Sequence, residues 1–252
     1  SAQRDFCPIV SGGENMKNSR LLRIFALFSI VVFSSAVMAD AEDSFVKKRF
    51  VEARDQAAGS SSLDDLGILG WSQFMLDDYG SATNSFRKLE KAWPNDFDAL
   101  LGLAWVLTKT GSYQEAEKYL KKAESVAITC NPGHTTCWQR PMVLDLKGWL
   151  AMRKGDIEAA ARHFQEESND PTGARKSDSS VGMGWLAFNS GNLAKAKLAF
   201  EGGLSRDSEC FFCRDGLARI ALVKGDFREA LSQVLGGIKI TRDNHGLNAL
   251  LS

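Results

Sequence analysis

One ten-residue pattern returns five times along the chain, and this recurrence constrains the fold more than any other feature. The copies are DDYGSATNSF (77–86), GSYQEAEKYL (111–120), GDIEAAARHF (155–164), GNLAKAKLAF (191–200) and GDFREALSQV (225–234). Each runs from a small or acidic residue through an aromatic or aliphatic one to Ala, then to a large apolar residue. The starts lie 34, 44, 36 and 34 residues apart, and a helical apolar pattern of about 14 residues precedes each copy. A period in this range marks a stacked-repeat architecture, in which no unit buries its apolar face alone and neighbours complete one continuous core.

On a 34-residue frame the copies fall into the segments 63–96, 97–130, 141–174, 177–210 and 211–244. Position 8 is then Gly70, Ala104, Gly148, Gly184 and Ala218, and position 17 is Tyr79, Tyr113, Ile157, Leu193 and Phe227. Position 20 is Ala throughout: Ala82, Ala116, Ala160, Ala196 and Ala230. Pro94 fits position 32 of the first segment, and Pro171 lies one residue early in the third. This arrangement resembles the tetratricopeptide repeat family over about 70% of the chain. It departs from the family at position 4, where the usual Trp is replaced by Leu66, Leu100, Leu144, Ser180 and Arg214. The resemblance implies an all-α superhelical solenoid of about five helix–turn–helix repeats. Small residues at 8 and 20 let two antiparallel helices approach closely, and large ones at 17 and 24 fill the space between neighbouring repeats. Gly near position 15 ends the first helix.

The family places its concave, ligand-facing positions at 2, 5, 9, 12 and 13 of the first helix. Position 9 here reads Trp71, Trp105, Trp149, Trp185 and Arg219, so four of the six tryptophans share one phase. Position 9 lies five residues from position 4, roughly 140° around a helix, so the stripe is not the family's own Trp displaced. Position 12 adds Phe74, Met152, Phe188 and Leu222, and position 2 adds Phe212. Tryptophan offers large contact area with few rotors to freeze. The expectation is an aromatic ladder that takes an apolar-anchored peptide or helix of another protein. The competing reading packs these tryptophans against the next repeat. Lys109, Asp145, Arg153, Asp215 and Arg219 are candidates for polar selectivity beside the ladder, or else solvated surface charges. A Lys/Asn clamp for a terminal carboxylate is not reproduced, because position 9 holds Trp where Asn is needed.

The N-terminal region reads differently. Residues 1–15 precede a plausible start at Met16 and are read as an upstream segment. Lys17, Arg20 and Arg23 then lead into an apolar run that ends at Val37-Met38-Ala39, the form of a secretory signal peptide over 16–39. An uncleaved membrane anchor is the rival, since the run is near the lower length of a span. The mature chain would start at Asp40 and locate to the periplasm or be secreted, touching the membrane only through its leader. Ser44 to Ala58 reads as a helix that could cap the first repeat, followed by a Gly59–Ser62 linker. Residues 245–252 read as a tail or as a sixth repeat cut short, which favours a fragment of a longer protein.

Four cysteines follow the leader. An exported chain with an even count suggests disulfides, most simply Cys130–Cys137 at the base of the loop behind the 44-residue spacing, and Cys210–Cys213. A zinc site from Cys130, His134 and Cys137 is the lesser reading. Cys210-Phe-Phe-Cys213 also has the spacing of redox motifs, but no thioredoxin-like βαβ pattern surrounds it. Arg214 follows in place of His, which excludes c-type haem attachment.

Charge and composition narrow the function. There are 31 basic and 31 acidic residues, and no basic surplus of the kind that tracks nucleic-acid phosphates. The sequence holds three His and no nucleophile-elbow, phosphate-loop or His-Glu-x-x-His motif. The sequence therefore points to a non-enzymatic protein-interaction scaffold without cofactor. Rival readings are an adaptor portion of a larger envelope protein, a thiol–disulfide protein using Cys210 and Cys213, or a groove for lipid or glycan.

Overall fold

In the computed structural model, residues 50–59, 62–127, 139–170 and 176–241 are described. The proposed leader, Cys130, His134, Cys137, Pro171 and the tail at 245–252 lie outside them. Eleven helices follow one another among the described residues. Helix α1 (Phe50–Ala58) is followed by five pairs: α2 (Leu63–Met75) with α3 (Tyr79–Ala92), α4 (Phe97–Lys109) with α5 (Tyr113–Ala127), and α6 (Gln139–Lys154) with α7 (Ile157–Ser168). The last two are α8 (Lys176–Asn189) with α9 (Leu193–Arg206), and α10 (Phe211–Val223) with α11 (Phe227–Thr241). The protein is an all-α solenoid. Within each pair the helices pack on one another, each second helix packs on the next pair's first, and the first helices stack in the order α2, α4, α6, α8, α10. Helix α1 packs on α2 through buried Phe50, Ala53 and Ala57.

The turns inside the pairs share one construction. Position 15 has positive φ in all five: Asp77 at 60°, Gly111 at 86°, Gly155 at 84°, Gly191 at 75° and Gly225 at 75°. Glycine reaches this region without a Cβ clash. The residue after it serves both helices. Its amide donates to the position-11 carbonyl in every repeat at 2.9 Å: Asp78 to Gln73, Ser112 to Leu107, Asp156 to Ala151, Asn192 to Ala187 and Asp226 to Ala221. In four repeats its side chain also caps the second helix, accepting from the amides of Ser81, Ala159, Lys195 and Glu229. One residue thus satisfies a carbonyl that the ending helix leaves open and an amide that the starting helix leaves open.

The core repeats as well. Phe86, Phe164 and Phe200, all at position 24, are fully buried. Each ring lies between two glycines: Phe86 between Gly70 and Gly102, Phe164 between Gly148 and Gly182, Phe200 between Gly184 and Gly216. The first glycine of each pair is position 8 of the same repeat, and the second is position 6 of the next. A Cβ on any of the six would come within 2.3–2.7 Å of the ring. The second repeat uses other sizes at the same sites, with Leu120, Ala104 and Leu146 in one buried cluster. Position 17 behaves differently from the sequence expectation. It opens each second helix at the rim, where Tyr79 and Tyr113 are half-buried but Ile157 and Phe227 stay exposed.

Candidate functional site

The first helices bring the position-9 and position-12 residues onto one stacked face, and the tryptophans there belong partly to the core. Trp71 is only 3% exposed, its indole Nε1 donates to Asp98 Oδ1 at 3.3 Å, and its ring meets Phe86 edge-on at 5.2 Å. Trp71 therefore builds the wall and presents almost no surface, a correction to its expected place on an open ladder. The cause is Asp98, at position 2 of the next repeat, itself buried, which satisfies the indole N–H inside the core. Trp149 and Trp185 rest on Phe164 and Phe200 in the same edge-on manner, at 5.7 and 5.5 Å. Both remain half-buried, as does Trp105. The competing reading of the stripe thus accounts for one side of each ring, while Trp105, Trp149 and Trp185 keep another side accessible.

The structure brings several expected residues together. Phe74 lies 5.8 Å from Trp71 and 5.9 Å from Trp105, joining the first two repeats. Phe188 meets Trp185 at 5.5 Å. Arg219, at the ladder's last position, lies over the Trp185 ring at 5.7 Å and donates from Nε to Asp215 Oδ1 at 3.1 Å. Burial pushes the Asp215 carboxyl up, and the Arg219 charge and hydrogen bond oppose that shift. Met152 accepts a weak bond at sulfur from Asn189 Nδ2 at 3.9 Å, and its side chain packs beside Phe164 and Leu186.

A charged group sits beside this aromatic face. Lys109 and Arg153 both occupy position 13, at the ends of α4 and α6, which pack on each other. Both side chains have exposed surface. Desolvation by the surrounding protein, then the neighbouring Arg153 charge, lower the Lys109 pKa, and Asp77 and Asp145 oppose this. Asp77 accepts from Tyr79 Oη at 2.6 Å, and the Tyr79 phenol is pushed up by burial and by that bond. Asp145 is buried. The sequence named Lys109, Asp145 and Arg153 separately; it held no sign that they converge, because the meeting depends on how the third repeat stacks on the second.

Cys210 and Cys213 are joined in a disulfide at the start of α10, and Cys210 Sγ accepts from the Cys213 amide. Both residues are buried. No group of three or more His, Cys, Asp or Glu side chains is placed to hold a metal ion among the described residues, and none of the described helices is long and apolar enough to cross a membrane.

Comparison with known proteins agrees with this architecture. The tetratricopeptide repeat family pattern matches residues 69–133. Cellulose synthase operon protein C of Komagataeibacter xylinus is 30% identical over 164 residues, covering 60% of this chain and 12% of that protein's length. A thermophilic tetratricopeptide repeat protein of Thermus thermophilus superposes with TM-score 0.53 at 20% identity, covering 76% of this chain and all of the other. Human IFIT1, in a dimer with m7Gppp-AAAA, gives TM-score 0.58 at 14% identity, covering 79% of this chain and 48% of its own. The two structural likenesses concern the fold alone. With five turns of one construction and the glycine-clamped phenylalanines, the described residues form a solenoid of the tetratricopeptide-repeat type, the family whose pattern matches residues 69–133.

Proposed function

We propose that this protein is a non-enzymatic scaffold of the periplasm that holds a peptide or helix of another protein against the aromatic face of its first helices. The observation that carries the reading is the recurrence of half-buried Trp105, Trp149 and Trp185 at one position of three successive repeats, each with one side braced and one side open. A braced aromatic ring loses little freedom on binding, which is what an interface anchor needs. The leader at 16–39 and the Cys210–Cys213 disulfide support an exported, oxidising location. Buried sulfurs speak for a structural bond at the head of α10 over a thiol-exchange role, which requires access for an attacking thiolate.

The test is capture from an envelope extract. Immobilised protein is compared with Trp105→Ala/Phe188→Ala after circular dichroism has matched their helicity. These positions leave the Trp–Phe braces on Phe86 and Phe164 intact. A protein retained by the unchanged chain and released by the variant identifies the partner; equal retention by both moves the binding surface elsewhere.

A second reading rests on a separate observation: the similar Komagataeibacter protein is far longer than the stretch it shares with this chain. In that reading the repeats are the adaptor portion of a larger envelope protein, and the extent of the natural reading frame decides it.

A further inference from the structure

We infer that residues 245–252 seat on α11 as the start of a sixth first helix, with Leu250 packed against Val234. This docking is independent of what the aromatic face binds, and it places a further wall beside α10 at the end of the stacked first helices. Three observations carry it.

The first is a side chain that its own repeat does not cover. At position 24, Phe86, Leu120, Phe164 and Phe200 are all buried, each by its own first helix together with the first helix of the next repeat. Val234, at the same position of α11, is only half-buried. Its neighbours at positions 20 and 27, Ala230 and Gly237, are buried. The side that every other second helix turns to a following repeat is therefore present on α11 and apolar. The exposed Phe227, Leu231 and Leu235 stand at positions 17, 21 and 25 and are not part of this seat.

The second is a rule of sizes. Where position 24 is Phe, the two residues that meet its ring, at position 8 of the same repeat and position 6 of the next, are both Gly. Where position 24 is Leu120, they are Ala104 and Leu146. Close packing ties the three sizes together, because a smaller side chain at position 24 leaves volume that Ala and Leu fill. The fifth repeat combines Val234 with Ala218, so the following position 6 is expected to be a bulky aliphatic residue. On the 34-residue frame that position is Leu250.

The third is the register of the helix start. At the other two junctions of 34-residue spacing, second helices end at Ala92 and Arg206, and the next first helices begin at Phe97 and Phe211. The residue before each start is a cap: Asp96 accepts from the Ala99 amide at 3.0 Å, and Cys210 Sγ accepts from the Cys213 amide at 3.2 Å. Helix α11 ends at Thr241, and the same register puts Asn244, a favoured N-cap residue, directly before a start at His245. Leu247 then takes position 3, which is buried in Ala99, Val143, Ser179 and Cys213. Ser252 takes position 8, which is small in every repeat.

The experiment is native-state hydrogen exchange, read by mass spectrometry, on the full chain, Val234→Ala, Leu250→Ala and the double variant. A free peptide of residues 242–252 is the reference. In the unchanged chain, the amides of 248–252 are expected to exchange at least about tenfold more slowly than in the peptide. Leu250→Ala should release that protection and speed the amides of 234–238 by about tenfold, while those of α4 to α6 keep their rates. Val234→Ala should act in the same way, and the double variant should add little to either single, because each substitution removes the same contact. Free-peptide rates at 248–252 in the unchanged chain overturn the inference. So does a Leu250→Ala variant that leaves α11 unaltered, or a double variant whose effect is the product of the singles. Protection that falls on dilution also overturns it, since the seat is then filled by a second copy.

Discussion

A phenyl ring held between two glycines of successive repeats leaves no room for a methyl group. Gly102 shows the consequence most directly. It is helical, so alanine there gains about 1 kcal/mol of helix propensity, yet its Cβ would lie 2.4 Å from the fully buried Phe86 ring. Overpacking a core costs about 1–3 kcal/mol, so Gly102→Ala is expected to destabilise on balance. Phe86→Leu/Gly102→Ala should regain part of that loss, because the second repeat already combines Leu120 with Ala104 and Leu146. Urea midpoints of the two singles and the double give the coupling. Additive effects would mean that ring and glycine do not share a constraint. Position 24 was readable in the sequence as large and apolar, and position 8 as small. The second glycine, at position 6 of the following repeat, was not recognised, because it answers to a residue in the repeat before its own. The same limit hid the burial of Trp71, which depends on Asp98 in the next repeat.

At the scale of the helix, the economy of the repeat lies in its turn. The 34-residue frame was visible because everything that ends one helix and starts the next falls within nine residues, from position 11 to position 19. Local chemistry of this kind is legible without knowledge of the packing. Asp156 closes α6 through its amide and caps α7 through its carboxylate. Asp156→Ala keeps the first bond and loses the second, with an expected loss of about 1 kcal/mol. Asp156→Asn should retain most of the stability, since its amide oxygen can still accept from Ala159. Equal destabilisation by both substitutions, measured by thermal or urea unfolding, would show that the α7 start is held by packing and not by its cap. The inserted segment between α5 and α6 has no such periodic signature, and the frame simply resumes after it.

Across the whole molecule, stability in a stacked array is a sum of repeat terms and neighbour terms, so a unit with a neighbour on one side only is held less firmly. The distribution of apolar surface shows where this applies among the described residues. The cluster built on Phe50, Phe86, Leu120 and Leu146 spans α1 to α6 without interruption. In the last pair, by contrast, Phe227, Leu231 and Leu235 are 72%, 58% and 57% exposed and follow one another at four-residue intervals along α11. Among the described helices, α11 therefore draws its packing chiefly from α10, and its outer side adds nothing. Hydrogen exchange in the native state should then be graded, with the amides of α10 and α11 opening first and those of α4 to α6 last. Leu231→Ser should lie within about 0.5 kcal/mol of the unchanged chain, as exposed substitutions usually do. Leu120→Ala, inside the continuous cluster, should lose about 2–5 kcal/mol. Uniform protection along the chain, or a large effect of Leu231→Ser, would mean that the outer side of α11 is covered in solution and that the array unfolds as a single unit.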